Sequence, residues 1–321
     1  MAAPVLVTGG AGFIGSHAVE ALLADGESVR VLDNFTTGRR ANLAGLAGDL
    51  RVIEGDVRDR DAVARAAAGC GRVLHLAAIA SVTRSFDDPA ETEAVNVGGT
   101  ANVLDAARNA GARRLVLASS CAVYGTTDAL PVSEAAAPHP ESPYAQSKLD
   151  GEALCRAACA EGFDAGVMRL FNVYGPRQDP SSDYSGVIAV FMDRLSSARS
   201  CTVYGDGHQT RDFVFVTDVV AACRAALDGR TLGGRPLAAA PINVGTGIET
   251  SLRDVLAALA LAGGREPVVR YAAAREGDIL RSRAACERAA ERLGFRAAVA
   301  FADGLAATWS WYLSAAATRT R

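Results

Sequence analysis

Ser120, Tyr144 and Lys148 have the types and spacing to move a proton on and off an alcohol. Tyr144 and Lys148 are four residues apart, which places them on one face of a helix. A tyrosine with its ordinary pKa of about 10 is a poor base at neutral pH. An ammonium one helical turn away favours the phenolate and brings its pKa toward the working range. Ser120, at the end of an apolar run, can share a hydrogen bond with the oxygen that Tyr144 deprotonates. The plain alternative is a tyrosine and a lysine on a solvated surface helix, and the elements around them bear on the choice.

Those elements alternate between strand and helix. Ser142 and Pro143 open the helix of Tyr144, cap first and proline at the first helical position. The chain begins with the apolar run 5–7, read as a buried parallel strand, followed by TGGAGFIGS at 8–16. Gly9, Gly12 and Gly15 suit a tight turn that lets a phosphate oxygen approach the backbone and a helix sit close to the strand. Phe13, Ile14, Ala18, Val19, Leu22 and Leu23 then follow helical spacing. The unpaired amides and positive dipole end of that helix face a dinucleotide pyrophosphate. A second strand, 28–32, runs into Asp33 and Asn34. An acid there accepts from both ribose hydroxyls and repels a 2′-phosphate, favouring NAD over NADP, although Arg39 and Arg40 keep NADP in view. A nicotinamide cation beside Tyr144 would add to the effect of Lys148.

Further strands are expected at 50–54, 72–76, 115–117 and 165–170, with helices at 59–68 and 91–110 and loop-like chain at 121–142. Beyond residue 173 the alternation loosens into short strands within 201–216, 241–248 and 267–283 and helices near 217–228, 251–262, 284–293 and 303–313. The expected fold is α/β, a doubly wound parallel sheet of the Rossmann type over 1–172, with a smaller, partly interleaved α/β substrate-binding lobe over 173–321. The segment 229–241 reads as a linker.

The chain has 321 residues, 50% hydrophobic and 21% charged, with a net charge of -3, an ordinary composition for a soluble globular protein. That charge argues against nucleic-acid binding, which needs a basic face. The N-terminal stretch lacks the pattern of a secretory signal and no apolar run is long enough for a bilayer, so a cytoplasmic location without membrane contact is expected. The seven scattered cysteines read as reduced thiols and no metal site is expected.

Collectively, TGGAGFIGSH, Asp33-Asn34, Gly55-Asp56-Val57, HLAA at 75–78, Asn96 with GGT after it, SSCAVYG at 119–125, PYAQSK at 143–148 and RLFNVYGPRQ at 169–178 resemble the extended short-chain dehydrogenase/reductase family. GDGHQTRDFVFVTD at 205–218 and REGDI at 275–279 resemble its nucleotide-sugar branch, near the UDP-glucose 4-epimerases. The resemblance spans nearly the whole chain. It implies a tightly held NAD contacted by Gly9, Gly12, Phe13, Ile14, Gly15, Asp33, Asn34, Asp56, Val57, Leu76, Ala77, Ala78, Asn96, Ser119, Tyr144, Lys148 and Phe171. It implies a UDP-sugar contacted by Ser81, Ser85, Ser120, Asn172, Arg177, Val187, Tyr204, Arg211, Arg275, Asp278 and Ser282. Arg211 and Arg275 would hold the diphosphate and Asp278 a uridine ribose hydroxyl. A homodimer through 91–110 and 143–160 is implied in the same way.

The implied chemistry is oxidation at C4 with Tyr144 as base, rotation of the 4-keto sugar, and hydride return to its other face. Related 4,6-dehydratases carry an acid pair where this chain has Cys121 and Ala122, so β-elimination lacks its base. The same absence counts against decarboxylation of UDP-glucuronate. Cys121 reads as a packing cysteine. Ser282 aligns with a bulky tyrosine of some 4-epimerases, so UDP-GlcNAc/UDP-GalNAc stands beside UDP-Glc/UDP-Gal. UDP-glucuronate is the second reading, since Arg177 and Ser85 are able to meet a carboxylate. A dehydratase or net reductase, and a non-catalytic NAD-binding regulator, rank below these.

Overall fold

The structure is a computed structural model that describes residues 3–179, 186–229, 235–274 and 279–319. Its main element is a seven-stranded sheet, built first from β1 (Val5–Thr8), β2 (Val29–Asp33), β3 (Leu50–Glu54), β4 (Arg72–His75), β5 (Arg114–Ser120) and β6 (Asp164–Leu170). Apolar residues along β1, β2, β4, β5 and β6 are buried on both faces, as a sheet covered by helices requires, whereas Val52 of the edge strand β3 is exposed. With β7 (Asn172–Tyr174), β8 (Cys201–Tyr204), β9 (Thr210–Arg211), β10 (Phe213–Phe215) and β11 (Pro241–Val244), the order across the sheet is β11-β6-β5-β4-β1-β2-β3, all parallel. The order reverses between β1 and β4. Ligands of doubly wound sheets bind at that switch, outside the carboxyl ends of the strands.

The helices preceding β6 are α1 (Phe13–Ala24), α2 (Arg60–Ala67), α3 (Val82–Asp87), α4 (Pro89–Glu93), α5 (Gly99–Asn109) and α6 (Pro143–Ala160). Those following it are α7 (Val187–Ser196), α8 (Val216–Asp228), α9 (Leu252–Gly263), α10 (Glu287–Leu293) and α11 (Phe301–Arg319). Helices α1 and α8 cover one face of the sheet, while α2, α5 and α6 cover the other. Val173, Phe213, Phe215 and residues of α7, α9 and α11 close a second core around Tyr174. The parallel pair β7 and β10 sits at its boundary with the main sheet. Two further strands, β12 (Thr250–Ser251) and β13 (Val269–Ala272), pair with β9 and β8. Because β11 and α8 come from residues beyond 173 yet complete the main sheet and its cover, the chain crosses between the two cores more than once.

Two expectations need correction, and one helix was not foreseen. The helix expected over 91–110 is α4, a π-type turn over Ala94–Gly98 and then α5. Gly98 and Gly99 are weak helix formers, and the turn carries Asn96, whose side chain binds the Ile79 backbone across the loop after β4. The linker expected at 229–241 is, from residue 235 onward, laid against β6. Ala239 N donates to Ala165 O, Leu237 N donates to Asp164 Oδ1, and Leu237 and Ala239 are buried. Helix α7 had no clear sequence signal, although its apolar side is buried in the second core.

Candidate active site

The carboxyl ends of β1, β2, β4 and β5 and the starts of α1 and α6 surround a cavity of about 790 Å3. At its floor the turn from β1 to α1 is held by close backbone contact. Gly9 has φ +68, and a Cβ there would lie 2.8 Å from Ala77 N. A Cβ on Gly15 would lie 2.1 Å from Gly9 O, inside any real contact distance. Gly12 precedes α1 with no side-chain cap, so the first amides of a twelve-residue helix open toward the cavity. A glycine cradle ending in an uncapped helix start fits a pyrophosphate. Asp33, buried at the end of β2, accepts from Ala11 N and Phe35 N, each at 2.8 Å. This holds its carboxylate at the cavity wall, where a ribose would lie.

The wall also contains Phe13, Ile14, Asn34, Val57, Leu76, Ala77, Ala78, Ser119, Ser120, Tyr144, Lys148 and Phe171, bringing together most of the residues expected on the cofactor side. Asp56 and Asn96 are placed behind it. Asp56 faces Asn34 Nδ2 at 2.9 Å and Arg58 Nη2 at 2.8 Å. The hydrogen bond from Arg58 holds its carboxyl well below the usual carboxylate range. Asn96 binds Ile79 N at 2.8 Å and Ser147 Oγ at 2.9 Å, and so props the chain that forms the wall. Sequence reasoning missed Asn42, Ile79, Arg84, Glu91 and Val95 in the wall. They arrive from loops and short helices whose spacing carries no motif.

Tyr144, Lys148 and Ser120 converge at the β5 end. Lys148 is 8% exposed, its Nζ donates to Ala118 O at 3.0 Å and lies 5.8 Å from the centre of the Tyr144 ring. Burial brings Lys148 down to about 8 and pushes Tyr144 up to about 12, against the opposing hydrogen bond from Ser120. The phenol therefore keeps its proton at neutral pH. A cation next to it is what makes the phenolate accessible. Burial also pushes the neighbouring Cys121 thiol up to about 12, with Asp212 adding to the effect, so it stays protonated.

Among the described residues expected at the sugar, Ser120 and Arg177 are the ones in the cavity wall. Ser81 caps α3 by accepting from Arg84 N at 3.1 Å, and Ser85 donates to Val82 O at 2.6 Å. Arg177 does line the cavity, but its Nη2 pairs with Glu20 of α1 at 2.5 Å, on the cofactor side. Asn172 pairs with Phe213 between β7 and β10, and Val187 opens α7 against the second core. Tyr204 ends β8, where its carbonyl accepts from Gln209 Nε2 at 2.6 Å. Arg211 donates to Ile279 O at 2.5 Å, which keeps it near the segment carrying the buried Ser282. Arg275 and Asp278 lie outside the described residues. Among the described residues no group of three or more His, Cys, Asp or Glu could hold a metal ion, and no helix is long and apolar enough to cross a membrane.

The model of the NAD-dependent epimerase/dehydratase family matches residues 5–245. The UDP-glucose 4-epimerase of Mycolicibacterium smegmatis is 43% identical over 312 residues, covering 96% of this chain and 97% of the relative. The structure of the UDP-glucose 4-epimerase of Thermus thermophilus in complex with NAD superposes with a TM-score of 0.87 at 38% identity, covering 97% of this chain and 99% of that one. That of the UDP-N-acetylglucosamine 4-epimerase of Methanobrevibacter ruminantium, in complex with UDP-N-acetylmuramic acid, gives 0.91 at 31% identity, covering 98% of this chain and 99% of that one. With a cradle that fits a dinucleotide and a family match over most of its length, the chain belongs to the NAD-dependent epimerase/dehydratase family of enzymes.

Proposed function

We propose that the protein is a UDP-sugar 4-epimerase acting on a neutral hexose or N-acetylhexosamine. The observation that carries this reading is the meeting of Ser120, Tyr144 and Lys148 at the cavity, directly before Cys121 and Ala122. NAD bound in the cradle supplies a hydride acceptor that can return the hydride to the opposite face of the sugar carbon. Tyr144 takes the C4 hydroxyl proton and gives it back, and Ser120 orients the same oxygen. Lys148 is anchored to Ala118 O, so its charge stays fixed beside the phenol. Ala122 has no proton to exchange and Cys121 keeps its own, which leaves elimination across C5 without a base. Glucuronate is the second reading. It is disfavoured because Arg177 is engaged by Glu20 and Ser85 by Val82 O, the two groups able to meet a sugar carboxylate. We also infer that Tyr204, Arg211, Arg275, Asp278 and Ser282 meet the UDP-sugar from the second lobe, with the lobe boundary near residue 172, and that α4, α5 and α6 supply a homodimer face.

Incubation with UDP-Glc, UDP-GlcNAc and UDP-GlcA in deuterated water, followed by NMR, tests the reaction. Inversion at C4 with no solvent deuterium on carbon is expected; deuterium at C5 or C3 would instead mean elimination or epimerisation by proton transfer. Tyr144→Phe should lower kcat by about 100- to 10,000-fold, the usual range for a lost general base. A kcat unchanged by that substitution would remove Tyr144 from the role.

A further inference from the structure

Three consecutive residues of β5 are each tied to α6 by a different side chain. Lys148 Nζ donates to Ala118 O at 3.0 Å, Ser119 Oγ donates to Glu152 Oε1 at 2.6 Å, and the Tyr144 hydroxyl shares a hydrogen bond with Ser120. Residues 144, 148 and 152 are spaced by four and stand on one face of the helix. Glu152 is the member of this set that touches neither the cavity nor the reacting atoms. It is 0% exposed, and a buried carboxylate persists only where it is paired. Its main partner is Arg169 of β6, whose Nε donates to Oε1 at 2.9 Å and Nη2 to Oε2 at 2.7 Å in a bidentate fork, while the half-exposed Arg156 of α6 lies 3.8 Å from Oε2. Ser119 and Arg169 are register neighbours on adjacent strands, so one carboxylate joins two strands to the helix. Arg169 in turn lies 4.7 Å over the Tyr124 ring, and the Tyr124 hydroxyl donates to Asn243 Oδ1 of β11 at 2.6 Å.

We propose that Glu152 is a positioning residue for the reaction, fixing the height and rotation of α6 over β5 and with them the placement of Tyr144 and Lys148 against Ser120. Apolar contacts beneath α6, made by Cys155 and Ala158, are non-directional and tolerate small rotations. Hydrogen bonds to a buried carboxylate do not. Nor is net stability a sufficient reason for the pair, because buried ion pairs are often replaceable by apolar residues at no loss. Misplacement of reacting groups by about 1 Å is worth roughly 100-fold in rate, so the positional role has a large lever.

The inference rests on the assignment of Tyr144 as the base, and its test is arranged to separate the two. The double variant Glu152→Met/Arg169→Met removes both charges together, leaving no lone buried ion and no net change of charge near the site. The groups facing Tyr144 are Ser120 and Cys121 from β5 and the turn after it and Lys148 from its own helix. Lys148 acts on His75 of β4, and Arg211 and Asp212 act on Cys121. All remain in the variant. Its thermal midpoint and NAD affinity should stay near the parent's, while kcat for the UDP-sugar falls about 100-fold with KM within about threefold. The Tyr144 phenolate, followed by ultraviolet difference titration of the NAD holoenzyme against the matching Tyr144→Phe protein, should titrate about one unit higher as the hydrogen bond between Tyr144 and Ser120 weakens. That titration needs no sugar, so it decides the inference even if no UDP-sugar is turned over by the parent. If the double variant does not fold, Ser119→Ala removes only the hydroxyl between β5 and Glu152, and a roughly tenfold loss in kcat with the same direction of titration shift is expected. A folded variant with the parent's titration overturns the positional role, and so does one with the parent's kcat where the parent turns over a UDP-sugar; either result alongside an inactive Tyr144→Phe leaves the base assignment standing.

Discussion

His75 is held between two threonines at the end of β4, 1% exposed, with Thr8 Oγ1 2.6 Å from Nδ1 and Thr100 Oγ1 3.0 Å from Nε2. The Thr100 hydroxyl donates to Asn96 O at 2.5 Å, so it accepts from Nε2–H, and Nδ1 takes the Thr8 proton. The neutral ring thus satisfies every bond, and burial, assisted by the nearby Lys148 charge, lowers the imidazole pKa to about 3. In the unfolded chain the same histidine takes a proton near its ordinary value of about 6.5, which the fold refuses until the pH is far lower. Stability is therefore whole above that value and falls as the pH drops from there toward the folded pKa. Between about pH 7 and about pH 5 this should amount to about 2 kcal/mol, read by urea unfolding. His75→Gln should remove that part of the slope. An acid slope equal to the parent's would mean that other groups carry it. At this scale Tyr144, Lys148 and Ser120 were legible because their types and spacing carry chemistry, whereas Glu152 looked like any helical glutamate.

The unit β1, turn and α1 is the element on which the proposed cofactor cradle depends. Its glycines could be read directly because no side chain fits where Gly15 meets Gly9 O. Gly15→Ala should leave the sheet intact but push α1 away from the turn. NAD affinity measured by calorimetry should drop about 100-fold, or about 2.7 kcal/mol. Unchanged affinity would mean that the helix start does not hold the pyrophosphate. The helical region after β4 was less legible. Its apolar spacing was seen, but the break at Ala94–Gly98 follows from Asn96 reaching Ile79 and Ser147, contacts separated by 17 and 51 residues in the chain.

Across the whole molecule, the segment 175–179 after β7 straps the cofactor cavity to the opposite rim. His17 binds Pro176 O at 2.9 Å, Arg177 pairs with Glu20 of α1, and Arg39 from the loop after β2 pairs with Asp179. These pairs are partly exposed, and such pairs contribute about 0–1 kcal/mol each. Arg177→Ala should therefore speed release of bound NAD by up to about fivefold, measured by exchange against labelled cofactor. A release rate unchanged within error would exclude the strap from cofactor retention. Arg39, which at first kept NADP in view, has a carboxylate partner in this arrangement.

The sequence by itself determined the parallel α/β sheet, the glycine turn, the acid at the β2 end and the grouping of Ser120, Tyr144 and Lys148 proposed as the catalytic set, because each depends on local periodicity or on residue types at short spacing. It also carried the family resemblance across nearly the whole chain. Only the tertiary structure decided that β11 completes the sheet, that 235–241 lies against β6, that Ser81 and Ser85 serve α3, and that Arg177 turns toward α1. The same holds for Glu152, which acquires its place only when Ser119 and Arg169 become neighbours across β5 and β6. Each of these depends on which partner reaches a polar group first once distant segments pack, and that competition leaves no periodic trace in the chain.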